Sequence, residues 1–340
     1  MKIVIVGAGA IGGFIGARLA RAGADVVLHA RGAHLRAMQT QGLRITGAEG
    51  DFEVMPRTTG DLTGIGTADV VFLSVKAHSL TALAPGLAPL LGRDTAVVST
   101  QNGLPWWYFQ GHGGELDGLR LERVDPGGVI AAAIEPRRIV GSLAYFATEI
   151  VEPGVIHHTE GSRISFGEPD GTRSDRVRAI VEPLVAAGFR CPVTTRFRHE
   201  IWVKLLGNVA FNPISALTGG TLEELVRHPE TNRLVREVMA EAEAVARTLG
   251  IELPISIDQR MAGAEKVGAH KTSMLQDLEA GRPMEIEAVV GAVLELGERR
   301  GVPMPATHAV YACARLLDAR RQGRTFGVRS GGPTPFPVVT

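Results

Sequence analysis

The sequence is short of cysteine, of aromatic residues and of any excess of one charge, and each shortage removes a class of protein. Cys191 and Cys313 are the only cysteines, far apart in sequence and outside any metal-ligand spacing. No disulfide framework or metal site is expected, and a reducing cytoplasm suits such usage. Lys plus Arg and Asp plus Glu number 36 each, so there is no basic field for nucleic acid or an anionic membrane surface. No apolar run approaches the ~20 residues of a membrane span. A leader peptide is not expected either. Glycines interrupt the apolar start, Arg18 and Arg21 fall where a cleavage region should be uncharged, and cleavage would delete the Gly-rich turn described next. With 340 residues and 45% apolar content, the chain has material for two domains with sizeable cores.

The stretch Lys2 to Arg31 organises the rest. The run Ile3 to Val6 reads as a strand buried on both faces. Gly7, Gly9 and Gly12 then give G-x-G-x-x-G, and Ala10 and Ile11 open a helix with apolar residues at Phe14, Ile15 and Leu19. A second apolar strand spans Val26 to Leu28. Gly7 permits the tight turn, Gly9 leaves the backbone open to a pyrophosphate, and Gly12 lets helix and strand approach. The phosphates would face the unpaired N–H groups at the helix start. Strand, turn, helix and strand together make this a dinucleotide-binding fingerprint. An NAD or FAD site usually places Asp or Glu at the end of the second strand. Here the residues are His29, Ala30 and Arg31, and a guanidinium suits a 2′-phosphate, so NADPH is the expected cofactor.

Further on, Leu43 to Thr46 and Phe52 to Met55 read as short strands, and Val70 to Val75 and Ala96 to Thr100 as buried ones. Lys76 and Asn102 follow the last two and should face the same crevice as Gly9, since ligands lie beyond the carboxyl ends of parallel strands. A surface lysine and an Asn-Gly turn are the plainer readings of these two residues. Pro105 to Gln110, PWWYFQ, reads as a lid, an interface plug or a packed loop. Gly128 to Glu168 looks strand-like, with turns at Glu152-Pro153-Gly154 and Glu160-Gly161. His157 and His158 are adjacent on one such strand, so they point to opposite faces and do not suggest a metal site. A helix from about Asp175 to Ala187 and a strand from Phe189 to Val193 close an α/β half, residues 1–195. Residues 196–326 read as all-helical, and 327–340 as a flexible tail.

The first helix of the second half reads HEIWVKLLGNVAFNPISALTGG. Lys204, Asn208 and Asn212, spaced four apart, form one polar row on an otherwise apolar helix. Such a row calls for a partner or a ligand, because buried amides and ammonium groups are costly when unsatisfied; a solvated stripe is the alternative. Ser273, in TSMLQD, could be an N-cap with Gln276 completing a capping box. Glu285, in RPMEIE, could be a first-turn acid after Pro283.

Taken together, the G-x-G-x-x-G, VKAHS, QNG, the W-x-K-L-x-x-N-x-x-x-N helix, and SMLQD with Glu285 twelve residues after Ser273 make the chain resemble the ketopantoate reductase family. These are the NADPH-dependent 2-dehydropantoate 2-reductases, and the resemblance covers most of residues 1–325. It implies a Rossmann-like domain followed by an all-helical domain, with a small 2-oxo acid bound in the cleft between them. It further implies Lys204 as general acid and Glu285 as the group that balances that lysine or holds substrate. Asn208, Asn212 and Ser273 would bind the substrate's hydroxyl and carboxylate, and Lys76 and Asn102 would sit where cofactor and substrate meet. The chemistry is consistent. Hydride addition builds charge on oxygen, which an ammonium both stabilises and protonates, and a paired acid keeps that lysine charged.

The chain departs from the family pattern in three places. Ser79 stands where some members carry Gln, TGGTLEEL lacks an asparagine that some members use, and PWWYF is an unusual extension after QNG. These departures bear on which 2-oxo acid the chain takes. A sister reductase for another 2-oxo or 3-oxo acid, a flavoprotein, and a non-catalytic NADPH-binding protein are the other readings; Arg31 weighs against the flavin. The helical half is of a kind that supplies homodimer interfaces, though nothing in the sequence fixes one.

Overall fold

The computed structural model describes residues 1–324; the expected tail at 327–340 lies outside the described residues. Nine strands form one sheet. They are β1 (Lys2–Val6), β2 (Asp25–His29), β3 (Leu43–Gly47), β4 (Phe52–Val54), β5 (Arg57–Thr59), β6 (Ala68–Leu73), β7 (Leu91–Ser99), β8 (Ile139–Glu152) and β9 (Val155–Gly167). Their order is β4-β3-β9-β8-β7-β6-β1-β2-β5. The run from β8 to β5 is parallel throughout. Within this run the chain goes one way from β1 to β2 and, after β3 and β4 at the opposite edge of the sheet, to β5, then crosses to the other side of β1 through β6, β7 and β8. The order therefore reverses between β1 and β6, which is where an open parallel sheet forms its ligand crevice.

Strand periodicity explains the packing. Ile3 and Ile5 join the apolar cluster on one face of the sheet, while Val4 and Val6 join the cluster on the other, as a period of two requires. The first face is covered by α1 (Ala10–Arg21) and α5 (Asp175–Ala186). The second is continuous with the helical half. Between these elements lie α2 (Gly32–Gln41), α3 (Ala77–Leu83) and α4 (Val129–Ala133).

The helical half begins with α6 (Phe197–Thr218), which runs through its centre. Around it lie α7 (Leu222–Arg227), α8 (Pro229–Thr248), α9 (Ile257–Val267), α10 (Ser273–Glu279), α11 (Ala292–Arg300) and α12 (Pro305–Arg321). A π-helical turn, Glu287–Gly291, leads into α11. Of these, α8, α10 and α12 pack directly on α6.

Three sequence expectations need correction. The stretch from Gly128 is not all strand, because Val129–Ala133 forms α4. Its amides are held by the buried Asp125, whose carboxylate accepts from Ile130 at 2.7 Å and Ala131 at 3.1 Å. Phe189 to Val193 pairs with β9 only through isolated bridges at Arg190 and Val193, since Pro192 has no N–H to extend a ladder. Glu160-Gly161 does not end a strand but lies within β9, where the register with β8 shifts and Gly161 takes φ +78°. The turn at Glu152-Pro153-Gly154 does join β8 to β9, with Gly154 at φ +83°. Trp106 to Phe109 are all buried, so the packed-loop reading holds and the lid reading does not.

Candidate active site

The Gly-rich turn sits at the carboxyl end of β1. Gly7 takes φ +97°, and a Cβ there would meet Val75 Cγ1 at 2.5 Å. A Cβ on Gly12 would meet the Gly7 carbonyl at 2.4 Å and Ser74 at 2.7 Å. At Gly9, by contrast, an added Cβ would have nothing within 4 Å. The first and last glycines thus serve the chain's own packing, and the middle one borders open space. Gly9 is the N-cap of α1, with no side-chain cap on the amides of Ala10, Ile11 and Gly12. Arg31 is exposed at the N-cap of α2, two residues beyond β2, which pairs with β1.

The polar residues after β6 and β7 lie in the same crevice. Gln101 is buried and ties the two loops together: its Nε2 donates to Leu73 O at 2.7 Å and Val75 O at 3.1 Å, and its Oε1 accepts from Ser99 Oγ at 2.7 Å. Gly103, at φ +86°, presses on the helical half, where an added Cβ would fall 2.2 Å from Ala288 O. The Leu104 amide donates to that same oxygen at 2.9 Å. The glycine of QNG is therefore needed for close approach as well as for the turn.

Lys204 is half-buried on α6. Its Nζ donates to Ala144 O on β8 at 2.7 Å and lies 5.3 Å from the Tyr145 ring centroid. Burial draws this ammonium down to about 8, and the Glu285 carboxylate pulls the other way. The helix is anchored one turn earlier. Trp202 Nε1 donates to the Tyr108 hydroxyl at 2.8 Å, and Arg198 Nε donates to Tyr108 O at 2.9 Å. The buried PWWYF stretch thus fixes where Lys204 stands.

On the opposite wall Thr272, not Ser273, is the N-cap of α10, accepting from the Leu275 amide at 3.3 Å. The exposed Ser273 hydroxyl is left over. Glu285 precedes the helical turn and is only 8% exposed. Its Oε1 accepts from the Ala77 amide at 2.9 Å, and its Oε2 lies 3.5 Å from Lys76 Nζ. Lys76 also pairs with Asp277, and Arg282 Nε donates to the other oxygen of Asp277 at 3.1 Å. Burial alone would lower Lys76; the Glu285 and Asp277 carboxylates outweigh it and raise it. Glu285 therefore does not pair directly with Lys204 here. It pairs with Lys76, and it acts on Lys204 through space.

A recess between the halves is lined by Asn102, Asn212, Ser273, Asp277 and Glu285, with Met274 and Val289. Asn208, one turn before Asn212 on α6, is half-buried outside that lining. Among the described residues, none of the three asparagine amides nor the Ser273 hydroxyl is used in a protein hydrogen bond. Asp277 and Gln101 stand within the SMLQD and QNG motifs, yet the sequence pattern assigns neither a role. Their adjacency to Ser273 and Asn102 was the available signal. The Ala144 carbonyl had none, being a backbone atom on a distant strand. His157 and His158 are engaged separately, His157 Nδ1 with Thr46 Oγ1 at 3.1 Å and His158 Nε2 donating to Gly161 O at 2.6 Å.

The sequence pattern described as ketopantoate reductase PanE/ApbA matches residues 3–171, and the pattern described as its C terminal matches residues 196–318. A 2-dehydropantoate 2-reductase of Mesorhizobium japonicum is 52% identical over 94% of this chain and 99% of its own length. One from Archaeoglobus fulgidus is 30% identical over 94% and 98%. The crystal structure of a 2-dehydropantoate 2-reductase from Geobacter metallireducens superposes with a TM-score of 0.82 at 28% identity, covering 93% of this chain and 99% of that one.

Proposed function

The chain belongs to the ketopantoate reductase PanE/ApbA family, and we propose on that footing that it reduces 2-dehydropantoate to pantoate with NADPH, Lys204 supplying the proton. The observation that carries this reading is that the half-buried Lys204 ammonium on α6 feels the Glu285 carboxylate, which lines a recess of unused amides together with Asn212, two turns after Lys204 on the same helix. The fold is an oxidoreductase scaffold, and the chemistry falls to these side chains.

The residues fit a dinucleotide. The open space at Gly9 and the uncapped amides of Ala10, Ile11 and Gly12 suit a pyrophosphate, and Arg31 suits a 2′-phosphate. Bound there, the nicotinamide would supply the hydride. Lys204 holds a proton within the cleft, stabilises the charge that develops on the carbonyl oxygen, and releases the proton to it. Its depressed pKa makes that release easier near neutral pH. Glu285 keeps the lysine charged from a distance and fixes the amide end of α3. Lys76 and Asn102 border cofactor and substrate alike, and Asn208, Asn212 and Ser273 offer the donors and acceptors a hydroxy acid carboxylate needs. We assign residues 1–195 to the cofactor unit and the helical residues from 196 to the substrate and catalytic unit. The test is NADPH oxidation with ketopantoate beside a panel of other 2-oxo acids. Highest kcat/KM on ketopantoate supports the reading; a different preferred acid replaces the substrate, and no turnover on any acid removes the reaction.

A further inference from the structure

A cavity lies away from the cleft, between the last turn of α1, the β3–β4 hairpin and the C-terminal end of α5. It holds about 350 Å³, the low end for small-molecule pockets. Arg18 and Arg21, in its wall, follow Gly9 by nine and twelve residues, so they lie roughly 14–18 Å along the helix from the phosphate-binding end. The cavity is a separate place.

Its walls combine three chemistries. Phe14, Ile45 and Phe52 are apolar. Arg18 is fixed: its Nε donates to Ala187 O at 2.8 Å, its guanidinium lies 4.4 Å from the Phe189 ring centroid, and it pairs with Glu49 at 2.7 Å. Arg21 lies 4.5 Å from the Phe52 centroid and, among the described residues, has no carboxylate partner. The local balance is one uncompensated positive charge. Basic residues in the last turn of a helix complement its dipole, which is reason enough for the arginines but not for the third component.

That component is His158, 1% exposed and also in the wall. Its Nε2 lies 2.6 Å from the Gly161 carbonyl. A carbonyl can only accept, so Nε2 carries the proton and the Nδ1 of the neutral ring is an acceptor. This Nδ1 is buried with no partner, an arrangement that ordinarily costs about 1–3 kcal/mol. An acceptor without a donor, beside an uncompensated cation and apolar rings, specifies what would fill the space.

We propose that this cavity is a second ligand site for a compact hydroxy acid. Its carboxylate would lie on Arg21, with Arg18 behind; its carbon body would rest against Phe14 and Phe52, and its hydroxyl would donate to His158 Nδ1, which is closed to solvent here and is reached by a shift of the Phe14 ring stacked on it at 4.4 Å. Glu49, 44% exposed at its side chain, is the group a ligand carboxylate displaces from Arg18.

The experiment is a calorimetric titration of the whole protein with pantoate. The choice of probe rests on the proposed reaction; the existence of the site does not. Wild type should bind two equivalents, one lost in Asn212→Ala, which lies in the cleft, and the other in Arg21→Gln. Ala186→Phe, which adds bulk at an exposed wall position, should remove that same second equivalent. Each change should weaken it at least about tenfold, while both variants melt as wild type does and, where turnover exists, keep it. If the proposed reaction is wrong but the site is real, wild type binds one equivalent, unaffected by Asn212→Ala and lost in Arg21→Gln. Pantoate binding that neither Arg21→Gln nor Ala186→Phe alters, or no binding at all, overturns the proposal.

Discussion

Neutralising Glu285 without removing its bulk tests the electrostatics of the site directly. In Glu285→Gln the side-chain oxygen can still accept from the Ala77 amide, and Lys76 keeps Asp277. What is lost is the negative charge that opposes the burial of Lys204. The carboxylate is not within ion-pair distance of Lys204. Two charges ~6–8 Å apart at an effective dielectric near 20 interact by roughly 2–3 kcal/mol. At about 1.36 kcal/mol per unit this is ~1.5–2 pKa units, and water in the cleft reduces it to about one. The sign follows from the role. Lys204 must be protonated to act, so removing a nearby negative charge lowers its pKa and activity is lost at a lower pH. The alkaline limb of kcat/KM, which reports the free enzyme, should fall near 8 in the wild type and about one unit lower in Glu285→Gln. The assay is NADPH oxidation with ketopantoate across pH. Superimposable alkaline limbs, or an upward move, would refute the coupling and with it the assignment of Lys204 as the titrating acid.

Lys204→Ala should lower kcat by roughly 10²–10⁴-fold while NADPH still binds, measured by steady-state turnover and nicotinamide fluorescence; near-normal turnover would end the general-acid assignment. Gly9→Ala should keep the wild-type melting temperature within a few degrees yet weaken NADPH, because its Cβ would enter open space, whereas Gly12→Ala should destabilise the fold, because its Cβ would strike the Gly7 carbonyl. Arg31→Ala should weaken NADPH by about tenfold or more with little change for NADH, and equal losses would remove its role at the 2′-phosphate. Trp202→Phe leaves the fully buried Tyr108 hydroxyl without its donor and should cost about 1–3 kcal/mol of stability in denaturant melts. Adding Tyr108→Phe should return part of that.

The parts of the fold that could be read in advance are those that local physics fixes. The apolar alternation of Ile3 to Val6, the three glycines and the helical row at Lys204, Asn208 and Asn212 each carry their own period or turn chemistry. Those that misled were decided by neighbours. GVIAAAI has strand-like composition, and it is the Asp125 carboxylate that makes it helical. Ser273 looked like a cap until Thr272 took that place. PWWYF left a lid, an interface plug and a packed loop open, and burial against its neighbours chose the last. In fact Tyr108 is the anchor of Trp202 and Arg198, and so of the helix that carries the lysine.

By itself the sequence determined the Gly-rich turn and the α/β half that bears it, the helical second half and the family, because spacing and residue type along the chain carry that information. Only the tertiary structure decided which charges meet. Glu285 was expected to balance Lys204 or to hold substrate; its carboxylate meets Lys76 and the start of α3 and acts on Lys204 only through space, while Lys204 leans on a backbone carbonyl of β8. Which of two lysines a carboxylate reaches depends on where three distant segments are brought together, and no local pattern in any of them records it.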